Sequence, residues 1–121
     1  MTDVSRIERL HVGPRLSEAV IFNGTIYLAG QIAEKTSSSA FSQMQEVLDH
    51  IDRLLAEAGS DKRHILSATV YLASIKHYAD MNRAWDEWVV PGATPPRATV
   101  EAKLAKPEYL VEVQVVAAQI V

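Results

Sequence analysis

The stretch from Leu110 to Val121 most restricts what this sequence can fold into, because it reads as one long strand that is largely apolar on both sides. Val111, Val113, Val115 and Ala117 mark one side; Leu110, Glu112, Gln114, Val116, Ala118 and Ile120 mark the other. An antiparallel strand with one face in water alternates apolar with polar residues. This one does not, so both faces of its sheet need cover. Helices can cover one face. The second is expected to meet another copy of itself, which makes a symmetric homo-oligomer the expected state and a clefted interface the natural ligand site.

The cover for the first face lies upstream. Phe41, Met44, Val47, Leu48, Ile51, Leu54, Leu55 and Ala58 recur at three- and four-residue spacing, which predicts a helix over Ala40 to Ala58. A serine before Phe41 can cap it, and Gly59 stands where a left-handed residue is wanted. Tyr78, Met81, Trp85 and Trp88 mark a second helix that ends before Pro91.

Between and around these the strands declare themselves. Ala19–Phe22 and Thr25–Gly30 flank Asn23-Gly24, a pair that readily adopts the positive φ angles of a type I′ turn, so they form a hairpin. Ile7–Val12 adds an edge strand before Gly13-Pro14, and Ile65–Leu72 is apolar and β-branched. Pro95-Pro96 holds Thr94 and Pro95 extended and delivers Arg97 at the start of a strand over Ala98–Ala102. The order is β-β-β-α-β-α-β-β, without internal repeat or linker. Both helices occupy crossover positions, so the expected architecture is an α+β domain spanning residues 1–121, one mixed sheet with two helices on one face.

Several function classes drop out on composition. Twelve basic residues face fifteen acidic ones, and no basic cluster is longer than Lys62-Arg63, so nothing here is shaped for a phosphate backbone and nucleic acid is not an expected partner. No apolar run approaches the ~20 residues that span a bilayer, and Met1–Arg9 is polar without a signal-peptide core. The expectation is a cytoplasmic protein with no membrane partner. Without cysteine there is neither a disulfide nor a thiolate nucleophile. His11, His50, His64 and His77 lack ligand spacing, and His50 falls on the polar side of the first helix beside Asp49 and Arg53, so no metal site is expected. There is no G-x-S-x-G elbow, dinucleotide fingerprint or Walker sequence. The Met, Tyr and Trp stripe of the second helix reads as core rather than as a stacking platform for bases. Asn82, within it, fits core less well.

Arg97 and Glu112 stand out because each puts a charge on a strand among apolar residues, where an unpaired charge is costly. One reading is a structural ion pair at a subunit interface. The other is chemical: a guanidinium grips a carboxylate with a planar fork, and a partly desolvated glutamate orients or deprotonates a water. Together they would describe a site for a small carboxylate being hydrolysed. The residues themselves leave both readings open.

The hairpin segment Asn23-Gly24-Thr25-Ile26-Tyr27-Leu28-Ala29-Gly30-Gln31-Ile32, then Ala58-Gly59, Thr69-Val70-Tyr71-Leu72, Met81-Asn82, Pro96-Arg97-Ala98-Thr99-Val100 and Leu110-Val111-Glu112-Val113, form a set in order along nearly the whole chain. The pattern resembles the RidA family, also called YjgF. The resemblance implies a chorismate-mutase-like fold and a homotrimer with three clefts between subunits. It also implies cofactor-free hydrolysis of enamines and imines, such as 2-aminoacrylate released by pyridoxal-phosphate enzymes, to 2-keto acids and ammonia. By position it implies that Arg97 grips the substrate carboxylate, that Glu112 positions or activates water, that the Gly30 backbone and the Thr99 region line the pocket, and that Asn82 lies near the cleft.

This chain departs from the family pattern at some of those places. Gly13-Pro14-Arg15 stands where active relatives usually show Gly-Pro-Tyr, Ala29-Gly30-Gln31 where they show Ser-Gly-Gln, and Thr99 replaces a common cysteine; the loop after Gln31 is shorter. Arg15 and Ala29 thus count among the substrate-binding positions and bear on which ligand is preferred. The expected activity is that of a 2-iminobutanoate/2-iminopropanoate-type deaminase. The alternative is a non-catalytic trimer that binds small carboxylates or a partner enzyme, since fold transfers within a family more safely than reaction.

Overall fold

A computed structural model describes residues 6–120, so only the last residue of the expected final strand, Val121, lies outside it. The elements follow the expected order: β1 (Glu8–Val12), β2 (Ser17–Phe22), β3 (Thr25–Leu28), α1 (Ala40–Glu57), β4 (Ile65–Leu72), α2 (Tyr78–Trp88), β5 (Arg97–Glu101) and β6 (Val111–Ala118). They make one six-stranded sheet in the order β1-β2-β3-β6-β4-β5. Only β4 and β5 pair in parallel; the other neighbours are antiparallel. Since β6 runs against both β3 and β4, those two point the same way, and α1 is the crossover that a parallel return needs.

Local chemistry accounts for the joints. Asn23 and Gly24 take φ of 53° and 75°, so Phe22 sits opposite Thr25 across a two-residue turn. The Ser39 hydroxyl accepts the Ser42 N–H at 3.1 Å and caps α1. At the other end Gly59 has φ of 84°, its N–H reaches the Ala56 carbonyl and that of Ser60 the Leu55 carbonyl, which is a Schellman ending. Burial departs from the periodic pattern at Phe41, Gln43 and Tyr78. Phe41 is only half-buried, with the Arg83 guanidinium 4.1 Å above its ring, and the polar Gln43 takes the inward place. Gln43 is satisfied there: it donates to the carbonyls of Thr36 and Glu108 and accepts from the Leu110 N–H, tying two loops to the helix. Tyr78 stays 45% exposed, so the inward stripe of α2 is Met81, Ala84, Trp85 and Trp88.

Val111, Val113, Val115 and Ala117 are all buried beneath the helices, facing Val70 and Leu72 of β4 and Ile26 and Leu28 of β3. Among the described residues no helix lies on the opposite face of the sheet. There the register sets Val100, Tyr71 and Glu112 side by side, with Tyr27 opposite Val116. Tyr27 is 47% exposed and Val100 42%. Both helices therefore cover one face, as expected, and a largely apolar face is open. No helix among the described residues is long and apolar enough to cross a membrane.

Candidate functional site

β3 ends sooner than its sequence pattern predicts, at Leu28 rather than Gly30, and the register explains why. Tyr27 pairs with Val116, whereas Gln31 bridges Val113, so four steps along one strand match three along the other. The extra residue makes a bulge, a device that re-aims a chain locally. Its flanks are held: Ala29 N–H donates to the Glu18 carbonyl, and Gln31 exchanges both backbone hydrogen bonds with Val113. Between them the Gly30 N–H makes no hydrogen bond among the described residues.

Glu112 is half-buried on the helix-free face, and its side chain lies against this bulge. A Cβ at Gly30 would overlap the Glu112 Oε2 and stand 3.0 Å from its Cδ. Gly30 does not have a positive φ, so its lack of a side chain is required by space and not by backbone conformation. A cavity of about 360 Å³ opens here, bounded by Gly30, Glu112, Tyr71, Gln114 and Lys103. It offers a carboxylate beside an unpaired amide N–H, a pair able to hold and deprotonate one water. Gly30→Ala is expected to keep the fold, with the thermal midpoint within roughly 5 °C of the parent, about what ~1 kcal/mol gives in a domain of this size. The flexible carboxylate can swing aside, and a crystal structure of the variant should show Glu112 in another rotamer; an unmoved Glu112 would contradict this packing.

Arg97 belongs to a different group. Its register partner is Ala68, which is buried under the helices, whereas the partner of Glu112 is Tyr71, three residues along the same strand. An odd offset places the two charges on opposite faces of the sheet, and three residues also separate them by roughly 10 Å along the strands. A structural ion pair between them within one chain is thereby ruled out. The Arg97 guanidinium lies 5.0 Å from the centroid of the Trp85 ring, and its Nη1 is 3.7 Å from the Met81 sulfur. No carboxylate among the described residues stands within ion-pair distance of it. Thr99 shares its face of β5, and the Thr99 Oγ1 is buried without a partner. Asn82, half-buried, follows Met81 on α2.

Of the residues singled out in the sequence, Ala29, Gly30 and Glu112 are therefore brought together, with Arg15 exposed on the β1–β2 turn at the same end of the sheet. Arg97 and Thr99 lie on the helix side of the far edge strand, and Asn82 follows on α2 the Met81 that Arg97 touches. Periodicity missed four participants. Trp85 and Met81 read only as core, which they are, and nothing in their spacing signals a guanidinium resting on them. Glu18 and Gln31, whose side chains meet at 3.0 Å, carry no spacing signal either.

A larger cavity of about 540 Å³ lies on the helix side by His11, Glu18, Gln31, His50, Arg53 and Glu57. Several of its polar groups are already engaged: His11 with Glu57 and Gln31 with Glu18 inside the cavity, and His50 with Glu46 beside it. Burial opposes the Glu46 charge, but the backbone N–H groups of Glu34 and Lys35 outweigh it and hold this carboxyl below its ordinary value, anchoring the loop after Gln31 to α1. No group of three His, Asp or Glu among the described residues is placed to hold a metal ion. Arg53 and Glu34 keep unpaired side chains in the larger cavity, whereas in the smaller cavity the side chains of Tyr71, Lys103 and Glu112 are all without a partner among the described residues.

The family model described as Endoribonuclease L-PSP matches residues 7–119. A RutC family protein of Haemophilus ducreyi is 51% identical over 112 residues, covering 93% of this chain and 96% of that one. The RutC family protein YoaB of Escherichia coli is 45% identical over 112 residues, with 93% and 97% covered. Among solved structures, a YjgF family member from Neisseria meningitidis superposes with a TM-score of 0.95 at 46% identity, covering 98% of this chain and 99% of that one.

Proposed function

The chain belongs to the Endoribonuclease L-PSP family, the group also called YjgF or RidA, and from that membership we propose that it hydrolyses small 2-imino acids to 2-keto acids and ammonia, in clefts between the subunits of a homotrimer. The observation that carries the reading is the division of the site into two halves. One half is a guanidinium on an aromatic ring with no carboxylate partner among the described residues. The other is a carboxylate against a free amide, on the opposite face of the sheet. Neither completes the other within a chain, and the open apolar face supports packing against further copies.

In this reading the Arg97 fork of one subunit binds the substrate carboxylate with two parallel hydrogen bonds. Glu112 of the next takes a proton from a water whose oxygen bonds to the imine carbon. That proton passes from Glu112 to the imine nitrogen to give the tetrahedral carbinolamine, whose hydroxyl proton then moves by way of Glu112 to the nitrogen as the C–N bond breaks, so that ammonia leaves and the 2-keto acid remains. The net charge of −3 and the lack of a basic cluster support a small carboxylate over a polyanionic backbone as ligand.

Release of ammonia and keto acid from a panel of freshly generated 2-imino acids tests the reaction, with turnover expected on small aliphatic members. Binding of 2-ketobutyrate without turnover of any imine would replace it by the non-catalytic carboxylate binder. Sedimentation equilibrium is expected to return the trimer mass; a monomer at micromolar concentration would remove the interfacial site.

A further inference from the structure

Gln31 is 6% exposed, one of only three buried polar residues among those described. A buried amide needs partners, and the two it has are informative. Its Nε2 donates to the Ala29 carbonyl at 2.9 Å and to the Glu18 Oε2 at 3.0 Å. The same Glu18 accepts the Ala29 N–H through its backbone carbonyl at 2.9 Å. Glu18 thus grips both flanks of the bulge, one by main chain and one by side chain, while Val113 grips the Gln31 backbone from the other side. Gly30 is the residue left between these anchors, and it is the residue against which the Glu112 carboxylate rests.

We propose that Gln31, braced by Glu18, is a positioning residue for the water-activating half of the site: it fixes the Ala29–Gly30 peptide and, through it, the place of the Glu112 carboxylate and the aim of the Gly30 N–H. The inference rests on the reading of Glu112 given above. It separates the two halves, since Arg97 lies on the other face and shares no partner with Gln31. Loss of the strap should therefore lower turnover and leave carboxylate binding alone.

Gln31→Met keeps the length and removes the donor; Glu18→Leu removes the brace; Glu18→Gln keeps an acceptor oxygen and serves as the rescue. The first two are expected to lower kcat for imine hydrolysis about tenfold or more, with KM and the Kd of 2-ketobutyrate within about twofold of the parent, the pattern of a loss confined to the transition state. Glu18→Gln is expected to keep the parent kcat. Unchanged kcat in Gln31→Met would overturn the proposal, as would a fall in kcat accompanied by an equal loss of keto-acid binding, which is what general damage to the fold would do. If the parent hydrolyses no imine at all, the reading of Glu112 fails, and the ¹⁵N–¹H resonance of Gly30 decides the positioning role independently. Gln31→Met should move it and Glu18→Gln should not. A Gly30 resonance that stays put in Gln31→Met overturns the proposal.

Discussion

Arg97→Ala is expected to weaken binding of a stable 2-keto acid by roughly a hundredfold, the loss of a hydrogen-bonded charge contact of about 3 kcal/mol, and to reduce imine hydrolysis at least as much. Arg97→Lys should recover little of this. The guanidinium lies over the Trp85 ring with Met81 sulfur at its Nη1, a seat that suits a flat, delocalised cation. An ammonium keeps the charge but has neither the plane for the stack nor the fork for two parallel hydrogen bonds. Titration calorimetry with pyruvate or 2-ketobutyrate reads the binding term directly, and imine hydrolysis rates read the rest. Parent-like turnover in both variants would make Arg97 a structural residue and leave the carboxylate without a holder.

Glu112→Gln should behave in the opposite way. The amide fills nearly the same space against Gly30 and retains an acceptor, but it cannot take a proton from water. Turnover is expected to fall on the order of a hundredfold or more while keto-acid binding survives. Normal turnover would refute the assignment. The pair of variants also tests where the site is built. If Arg97 of one subunit works with Glu112 of the next, trimers reassembled from equal amounts of Arg97→Ala and Glu112→Gln carry both native groups in about a quarter of their clefts, as random assembly of a cyclic oligomer requires. Activity should reappear on mixing two impaired proteins. A mixture no better than its components would mean that each cleft draws both groups from one chain, which the opposite faces of the sheet argue against.

What the sequence alone determined is whatever depends on chain neighbours. The three- and four-residue spacing from Met44 to Leu55 suffices for α1, Asn23-Gly24 for the hairpin turn, and Ser39 and Gly59 for the helix ends, because each of these is a contact or dihedral within a few residues. The double-sided apolarity of β6 foretold the open face for the same reason: alternation is a property of one strand. The residues of the candidate site were legible as types, Arg97 and Glu112 as charges out of place and Gly30 through the motif containing it. Their arrangement was not. Which face Arg97 shares with which residue of another strand depends on register, and register is set by pairings between segments far apart in sequence. The bulge at Gly30 appears only when Tyr27 is matched to Val116 and Gln31 to Val113. Only the tertiary structure could decide that the two charges stand on opposite faces of the sheet, because alternation assigns sides within a strand but not the common side of two strands until their hydrogen bonds align them.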